Sequence, residues 1–387
     1  MNIEPKCSTD GCERRPEAGR SRCRTCRRAQ TATKQAMHLT RYSERLAPDG
    51  TLLGINRSYI PSRSSQDHGF KQAQPVNVTV QVRGDHAWGA LERAENKAGT
   101  TALILPDPQI GWRQTDHGLE PFHDAEAMAV TVQMAAALQP DVIVHLGDFL
   151  DFAPFSRFTQ EPGFRGTTQA GIDAGYRFLA ELRAVAPGHR GVMLEGNHDK
   201  RISDTLAKLA PELARLRRAD DNGWPVMSLP GLLRLDEVGV QYYPGYPANE
   251  VYLSPKIRCI HGNRVASSSS TAALLSKDAR ANTLFGHVHR MELHHRTVGT
   301  FAGPQTIWVG SPGTLARTDG SVPSFHGGSS VETGASLRIS EDWQAGCAVV
   351  SWIGDEDPIL EMVRINNGRA VYRGVAYSAP TAEQKAA

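Results

Sequence analysis

Five short polar stretches carry the chemistry that this chain can do: Asp107-x-Gln109, Gly147-Asp148-x-x-Asp151, Gly196-Asn197-His198-Asp199, His261, and Gly286-His287-x-His289. Carboxylates, imidazoles and a neutral amide oxygen are the donors that hold divalent metals. Histidine also gives or takes a proton near neutral pH, and a carboxylate behind it can orient the ring. Any one of these residues alone has an ordinary explanation: an aspartate after a strand caps a helix, and a buried histidine is a satisfied core residue. Their shared placement is what needs explaining, since each follows an apolar run.

Those runs are Thr101 to Leu105, Val142 to Leu146, Gly191 to Leu194, Ile257 to Ile260 and Thr283 to Phe285. Short apolar runs bounded by turn residues read as buried strands. Helical stretches lie between them at Asp124–Leu138, Thr168–Val185 and Ser270–Arg280, and a further one follows His198 from Lys200 to Arg218. Alternation of strand and helix predicts parallel sheet with right-handed crossovers. Polar residues at successive strand C-termini then converge on one sheet edge. Further on, Met291–Val298 and Gln305–Val309 read as strands, Gly310-Ser311-Pro312-Gly313 as a turn, and Asp319–Gly334 as a Gly/Ser-rich mobile loop. Cys347–Trp352, Ile359–Ile365 and Ala370–Tyr372 read as closing strands, with a hairpin turn at Asn366-Asn367-Gly368. His294 and His295 are read as structural.

The order and strand-end positions of the five motifs resemble the calcineurin-like metallophosphoesterase superfamily, from about Leu103 to Gly313. The resemblance implies a two-sheet α/β sandwich with helices outside. It also implies hydrolysis of a phosphate ester at two divalent metals about 3.5–4 Å apart. Asp148 would bridge them; Asp107, Gln109 and His289 would complete the first site, and Asn197, His261 and His287 the second. His198 would stand near the leaving-group oxygen, with Asp199 orienting it. Asp151 reads either as a support behind the ligands or as a helix cap. Where the family usually carries histidine, this chain has Gln109, a weaker ligand whose amide oxygen suits Mn²⁺ or Mg²⁺ better than Zn²⁺, Fe or Ni. Mn²⁺ is therefore the expected metal. Gly111–Pro121 looks like an inserted loop beside the site, so His117 or His123 could compensate or be ordinary loop residues.

The N-terminal part is of another kind. Cys7-x4-Cys12-x10-Cys23-x2-Cys26 holds four of the six cysteines. That spacing fits one structural Zn²⁺ in a module too small to bury a core, which would fold on its metal. The module resembles zinc knuckles attached to nucleic-acid enzymes; chance clustering in an unfolded arm is the alternative. Seven arginines lie between Arg14 and Arg28, among them Arg15, Arg22, Arg24 and Arg27. They could contact phosphates, or form only a solvated basic face. Residues 1–75 carry 14 Lys/Arg and 7 Asp/Glu, a net +7 against +2 for the whole chain, which leaves about −5 for the remainder.

The expected organisation is a four-cysteine zinc module at 1–30, a basic helical arm and linker at 31–99, a catalytic domain at 100–375 and a flexible tail at 376–387. Within the arm, Gln30–Leu46 is helix-compatible, Pro61–Gly69 a linker, Asn77–Val82 a strand and Trp88–Lys97 a helix. No apolar leader is visible and the most apolar helix, Ala125–Leu138, is too short to span a bilayer, so a cytoplasmic protein without a membrane partner is expected. The functional expectation is a nuclease-like phosphodiesterase acting on nucleic acid. The alternatives are a phosphatase on nucleotides or phosphoproteins, and a nucleic-acid-binding protein with a degenerate metal centre. Family members are often dimeric, so a homodimer is possible.

Overall fold

The computed structural model describes residues 43–46, 52–56, 99–157, 161–267, 269–300, 303–324 and 342–380. The Cys7–Cys26 module, its arginines, and the linker, strand and helix expected between Pro61 and Lys97 lie outside them.

The first strands among the described residues are β1 (Ser43–Leu46) and β2 (Leu52–Asn56). The next is β3 (Thr100–Leu105), whose last four residues are fully buried. Two short strands, β4 (Trp112–Thr115) and β5 (Gly118–Pro121), form a hairpin where an inserted loop was expected. Helix α1 (Ala125–Leu138) begins at Asp124, whose side chain accepts from the N–H groups of Glu126 and Ala127, and it ends at Gln139 in the left-handed region. An aspartate at that position satisfies donors that the first helical turn leaves open. Then come β6 (Val142–His145), α2 (Thr168–Val185), β7 (Arg190–Leu194) and α3 (Lys200–Leu209). Helix α3 stops well short of Arg218; only a single 3₁₀ turn follows, at Leu213–Arg215.

The second half supplies β8 (Val240–Tyr243), β9 (Glu250–Ser254), β10 (Ile257–Ile260), α4 (Thr271–Ser276), β11 (Asn282–Phe285), β12 (Met291–Thr300) and β13 (Gly303–Pro312). It closes with β14 (Gly346–Trp352), β15 (Ile359–Arg364), β16 (Arg369–Tyr372) and β17 (Val375–Ser378).

Two large sheets result, ordered β15-β14-β3-β6-β7-β8 and β12-β13-β11-β10-β9-β1-β2, besides the β4–β5 and β16–β17 pairs. Strands β3, β6, β7 and β8 are parallel, and so are β10, β11 and β13. Alternation along each strand sets the layers. Ala102, Ile104, Val142, Val144, Val192 and Leu194 face Val251, Leu253, Cys259, Leu284 and Trp308 of the other sheet. Leu103, Leu105, Ile143 and Met193 face the helices, against Met134, Phe178 and Leu182. Helix α4 covers the outer side of the second sheet through Ala272, beside Phe285 and Val309. Both faces of the parallel strands are thus buried, which is why they read as continuous apolar runs. This is the expected two-sheet α/β sandwich.

Three expectations are corrected. Ser43–Leu46 is not the end of a helix: it pairs parallel with β9 and antiparallel with β2, extending the second sheet at an edge whose backbone groups β9 would otherwise leave open. Gly310–Pro312 is not a turn but the end of β13, and the chain leaves the strand only at Gly313, with φ +96°. Residues 376–378 are not tail: they belong to β17, which pairs with β16, and the backbone of Ser378 exchanges hydrogen bonds with the Gln133 amide on α1. Among the described residues no helix is long and apolar enough to cross a membrane.

Candidate metal centre

The C-terminal ends of β3, β6, β7, β10 and β11 all deliver their polar residues to one edge. Glycine makes the approach possible at two places. A Cβ on Gly196 would collide with the backbone nitrogen and carboxylate of Asp148, and one on Gly286 would lie 2.5 Å from Asp107 Oδ2. The missing side chains let the turns after β7 and β11 close directly onto carboxylates carried by other strands. Asp107, Gln109, Asp148, His287 and His289 all have positive φ, between 35° and 72°. Non-glycine residues there cost of order 1–3 kcal/mol each, and such strain gathers at functional sites.

Two donor triads share Asp148. Asp148, His261 and His287 form one, and Asp107, Asp148 and His289 the other; within each, the potential ligand atoms lie within 4.8 Å of one another. His261 Nδ1 donates to the Leu146 carbonyl at 2.9 Å. Its Nε2 is thereby turned to Asn197 Oδ1 at 3.2 Å and Asp148 Oδ1 at 3.3 Å. Asp107 is held by the His287 N–H, and Asp148 by the His198 N–H, both at 2.8 Å. A ring contact from Trp343 packs against His289, and Tyr246 stands edge-on to His261.

The electrostatics of the centre call for cations. Burial lifts Asp107 well above the ordinary carboxylate range; His261 pulls it back and Asp148 adds to the rise. Burial also works against Asp148, but His261, His198 and His287 outweigh it and hold that carboxyl well below its ordinary range. For His261, burial is outweighed by the Asp148 carboxylate and by Asp107, which raise it to about 9. His287 and His289 are lowered, chiefly by burial, to about 4 and about 3, so they present neutral imidazoles at pH 7. Asp107 Oδ2, His287 Nδ1 and His289 Nδ1 are buried without a hydrogen-bond partner. An unpaired buried polar atom costs about 1–3 kcal/mol. Orphaned donor atoms around two buried carboxylates fit divalent metals of the N/O-liganded kind.

Beside the triads, His198 is held from both ring nitrogens. Nδ1 donates to Asp151 Oδ2 at 3.1 Å, while Nε2 accepts from Gln109 Nε2 and from Arg201 Nη2, each at 3.2 Å. The expected pairing of Asp199 with His198 is not what the structure holds. The Asp199 carboxylate instead accepts backbone N–H bonds from Phe149, Leu150 and Gly196 at 2.9–3.0 Å, tying the β6 turn to the β7 turn. Burial and neighbouring Asp148 push it up to about 7, against the pull of those three donors. Asp151, read as support or cap, is the carboxylate behind His198. Gln109 has its oxygen engaged by Ser324 at 3.3 Å and its nitrogen by His198.

His117 lies on the β4–β5 turn, bonded through its N–H to Thr115, and His123 packs edge-on against Trp112; neither belongs to a triad. His294 is half-buried and His295 exposed on β12. Sequence reasoning missed Arg201, three residues after His198, whose carbonyl accepts from the Arg201 N–H at 3.0 Å where the turn runs into α3. It also missed Glu195, which begins the turn and anchors the next loop: its carboxylate accepts from the Tyr242 hydroxyl and from the N–H groups of Gly245 and Tyr246.

Residues 103–305, just over half of the chain, match the model of the calcineurin-like phosphoesterases. The gene 54 protein of Mycobacterium phage D29 is 32% identical over 222 residues, 55% of this chain and 78% of that protein. Its namesake in Mycobacterium phage L5 is 27% identical over 277 residues, 69% and 94% respectively. Among solved structures, the phosphoesterase Yfce from E. coli aligns over 72% of this chain and all of its own, at 14% identity and a TM-score of 0.32. The sequence match and the donors gathered at one sheet edge agree: the chain belongs to the calcineurin-like phosphoesterase family and is a metal-dependent phosphoester hydrolase.

Proposed function

We propose that this hydrolase is a two-metal phosphodiesterase that acts on nucleic acid, with Mn²⁺ as its working metal. The observation that carries the two-metal reading is the pair of donor triads sharing one carboxylate, Asp148. Asp107, Asp148 and His289 would hold one ion; Asp148, Asn197, His261 and His287 would hold the other. Bound there, two divalent ions supply a nucleophile at neutral pH and neutralise charge on the phosphoryl oxygens. Gln109 stands next to the first site with its amide bonded to His198, so it links that site to the acid–base group and contributes little ligand strength.

The chain's own residues do the rest. Asp151 fixes the His198 ring through Nδ1, leaving Nε2 aimed into the centre, where the leaving-group oxygen would arrive. Asp199 keeps the Asp148 and Asn197 turns at their mutual distance through its three backbone bonds. Support for nucleic acid as substrate comes from the basic segment, +7 over residues 1–75, with Arg14 to Arg28 beside the four cysteines.

The test is hydrolysis with Mn²⁺ of a generic phosphodiester, a generic monoester, and single- and double-stranded DNA, with His198→Ala as control. Preference for diester and DNA, with salt-sensitive loss when residues 1–75 are deleted, is the expected result. Monoester preference with no effect of the deletion would move the reading to a phosphatase on nucleotides or phosphoproteins.

A further inference from the structure

Arg201 occupies the first turn of α3, and its side chain is 16% exposed. Nη1 donates to the Asp151 carbonyl at 2.8 Å and lies 3.4 Å from Asp151 Oδ1; Nη2 donates to His198 Nε2 at 3.2 Å. This is an unusual resting place for a cation. An arginine paired with a carboxylate in fork geometry sits at about 2.7–2.9 Å. The carboxylate that Arg201 pairs with, Asp151, is met through one arm only and at 3.4 Å, and its other oxygen is already taken by His198. One arm of the guanidinium rests instead on the His198 ring nitrogen, the atom that the proposed reaction uses. The other arm is anchored to the Asp151 carbonyl and ion-paired with its carboxylate, so the group is held in place while Nη2 points at the centre.

Resting on the hydrolase reading above, we infer that Arg201 binds the substrate's phosphoryl group. When an ester enters, Nη2 leaves His198 Nε2 for a non-bridging phosphoryl oxygen, and Nη1 stays on the Asp151 carbonyl. The same movement clears Nε2 to face the leaving-group oxygen. A planar fork of fixed donors suits a tetrahedral oxyanion, and the backbone anchor keeps little side-chain entropy to be lost on binding. The ligand chemistry is a phosphate oxyanion, free or esterified.

The experiment compares wild type, Arg201→Ala, Arg201→Lys and His198→Ala as full-length, Mn²⁺-loaded proteins. Inorganic phosphate is the probe, by competition against bis(4-nitrophenyl) phosphate and by direct calorimetric titration. Arg201→Ala is expected to weaken phosphate at least 10-fold and to raise KM in parallel, with Arg201→Lys recovering part of the loss. His198→Ala should lower kcat while phosphate binding stays within 3-fold of wild type. Phosphate affinity of Arg201→Ala within 2-fold of wild type, at equal metal content, would overturn the assignment. If Arg201→Ala fails to fold, Arg201→Gln keeps a donor for the Asp151 carbonyl without the charge, and the same two outcomes apply to it. A wild type that turns over no ester would sink the hydrolase reading alone, since the titration still decides whether Arg201 binds phosphate.

Discussion

Gly286→Ala isolates the packing that places the first metal site. The new Cβ would start 2.5 Å from Asp107 Oδ2 and 3.2 Å from its Cγ, where ordinary contact begins at 3.4 Å. The carboxylate must therefore withdraw by about 0.9 Å, or the β11 turn must move as far. Asp107 has little freedom to comply: its Oδ1 is held by the His287 N–H at 2.8 Å, and its carbonyl accepts from Thr314 at 2.8 Å. Metal–ligand distances hold within about 0.2 Å, so a shift of that size removes the ligand. Overpacking of this kind costs roughly 1–3 kcal/mol of stability. The expected result is a folded protein with Tm lowered by several degrees, in which Mn²⁺ at one site binds at least 10-fold more weakly. Metal content after dialysis, calorimetric Mn²⁺ titration and kcat at saturating Mn²⁺ read it out. Two ions bound with wild-type affinity would refute the placement of Asp107 at the metal.

Three further outcomes are expected. Asp151→Asn should lower kcat about 100-fold with metal content unchanged, because the His198 ring loses its charged partner; wild-type turnover would show that Asp151 does not set the ring. Gln109→His should retain more Mn²⁺ or Zn²⁺ through dialysis than wild type, imidazole being the stronger ligand; equal retention would place residue 109 outside the first site. His145 packs between Phe149 and Phe178, and burial, with His189 adding to it, lowers it to about 3. The unfolded chain then binds the extra proton between pH 6.5 and 3, so stability falls as pH drops through that window. From pH 7 to 5 this one ring costs about 2 kcal/mol, so His145→Leu should shrink the fall in the urea midpoint by that contribution, the other buried histidines keeping theirs; an undiminished fall would refute it.

Much of the fold and of the candidate site was legible because both depend on local pattern. Strands buried on two faces are apolar runs, and the residues that end them are the ones the sheet edge collects. Asp148, His261, His287, Asp107 and His289 could be nominated that way. The boundary errors have local causes too. Lys200 to Arg218 keeps helix-compatible composition past Leu209, and nothing in Gly310-Ser311-Pro312 says that β12 waits alongside to pair with it.

The sequence by itself determined residue type and order: which donors exist, that each follows a strand, and that the strands are parallel and buried. Only the tertiary structure decided who touches whom. His198 lies next to Asp199 in the chain, yet its ring meets Asp151, 47 residues away, and Gln109, 89 residues away. Adjacent residues on a tight turn point in different directions. Loops from separate strands, by contrast, are brought within hydrogen-bond reach by glycine-permitted contacts and left-handed backbone that no residue pattern displays. The same is true of Arg201, whose charge acquires a use only where α3 leans over the carbonyl of Asp151.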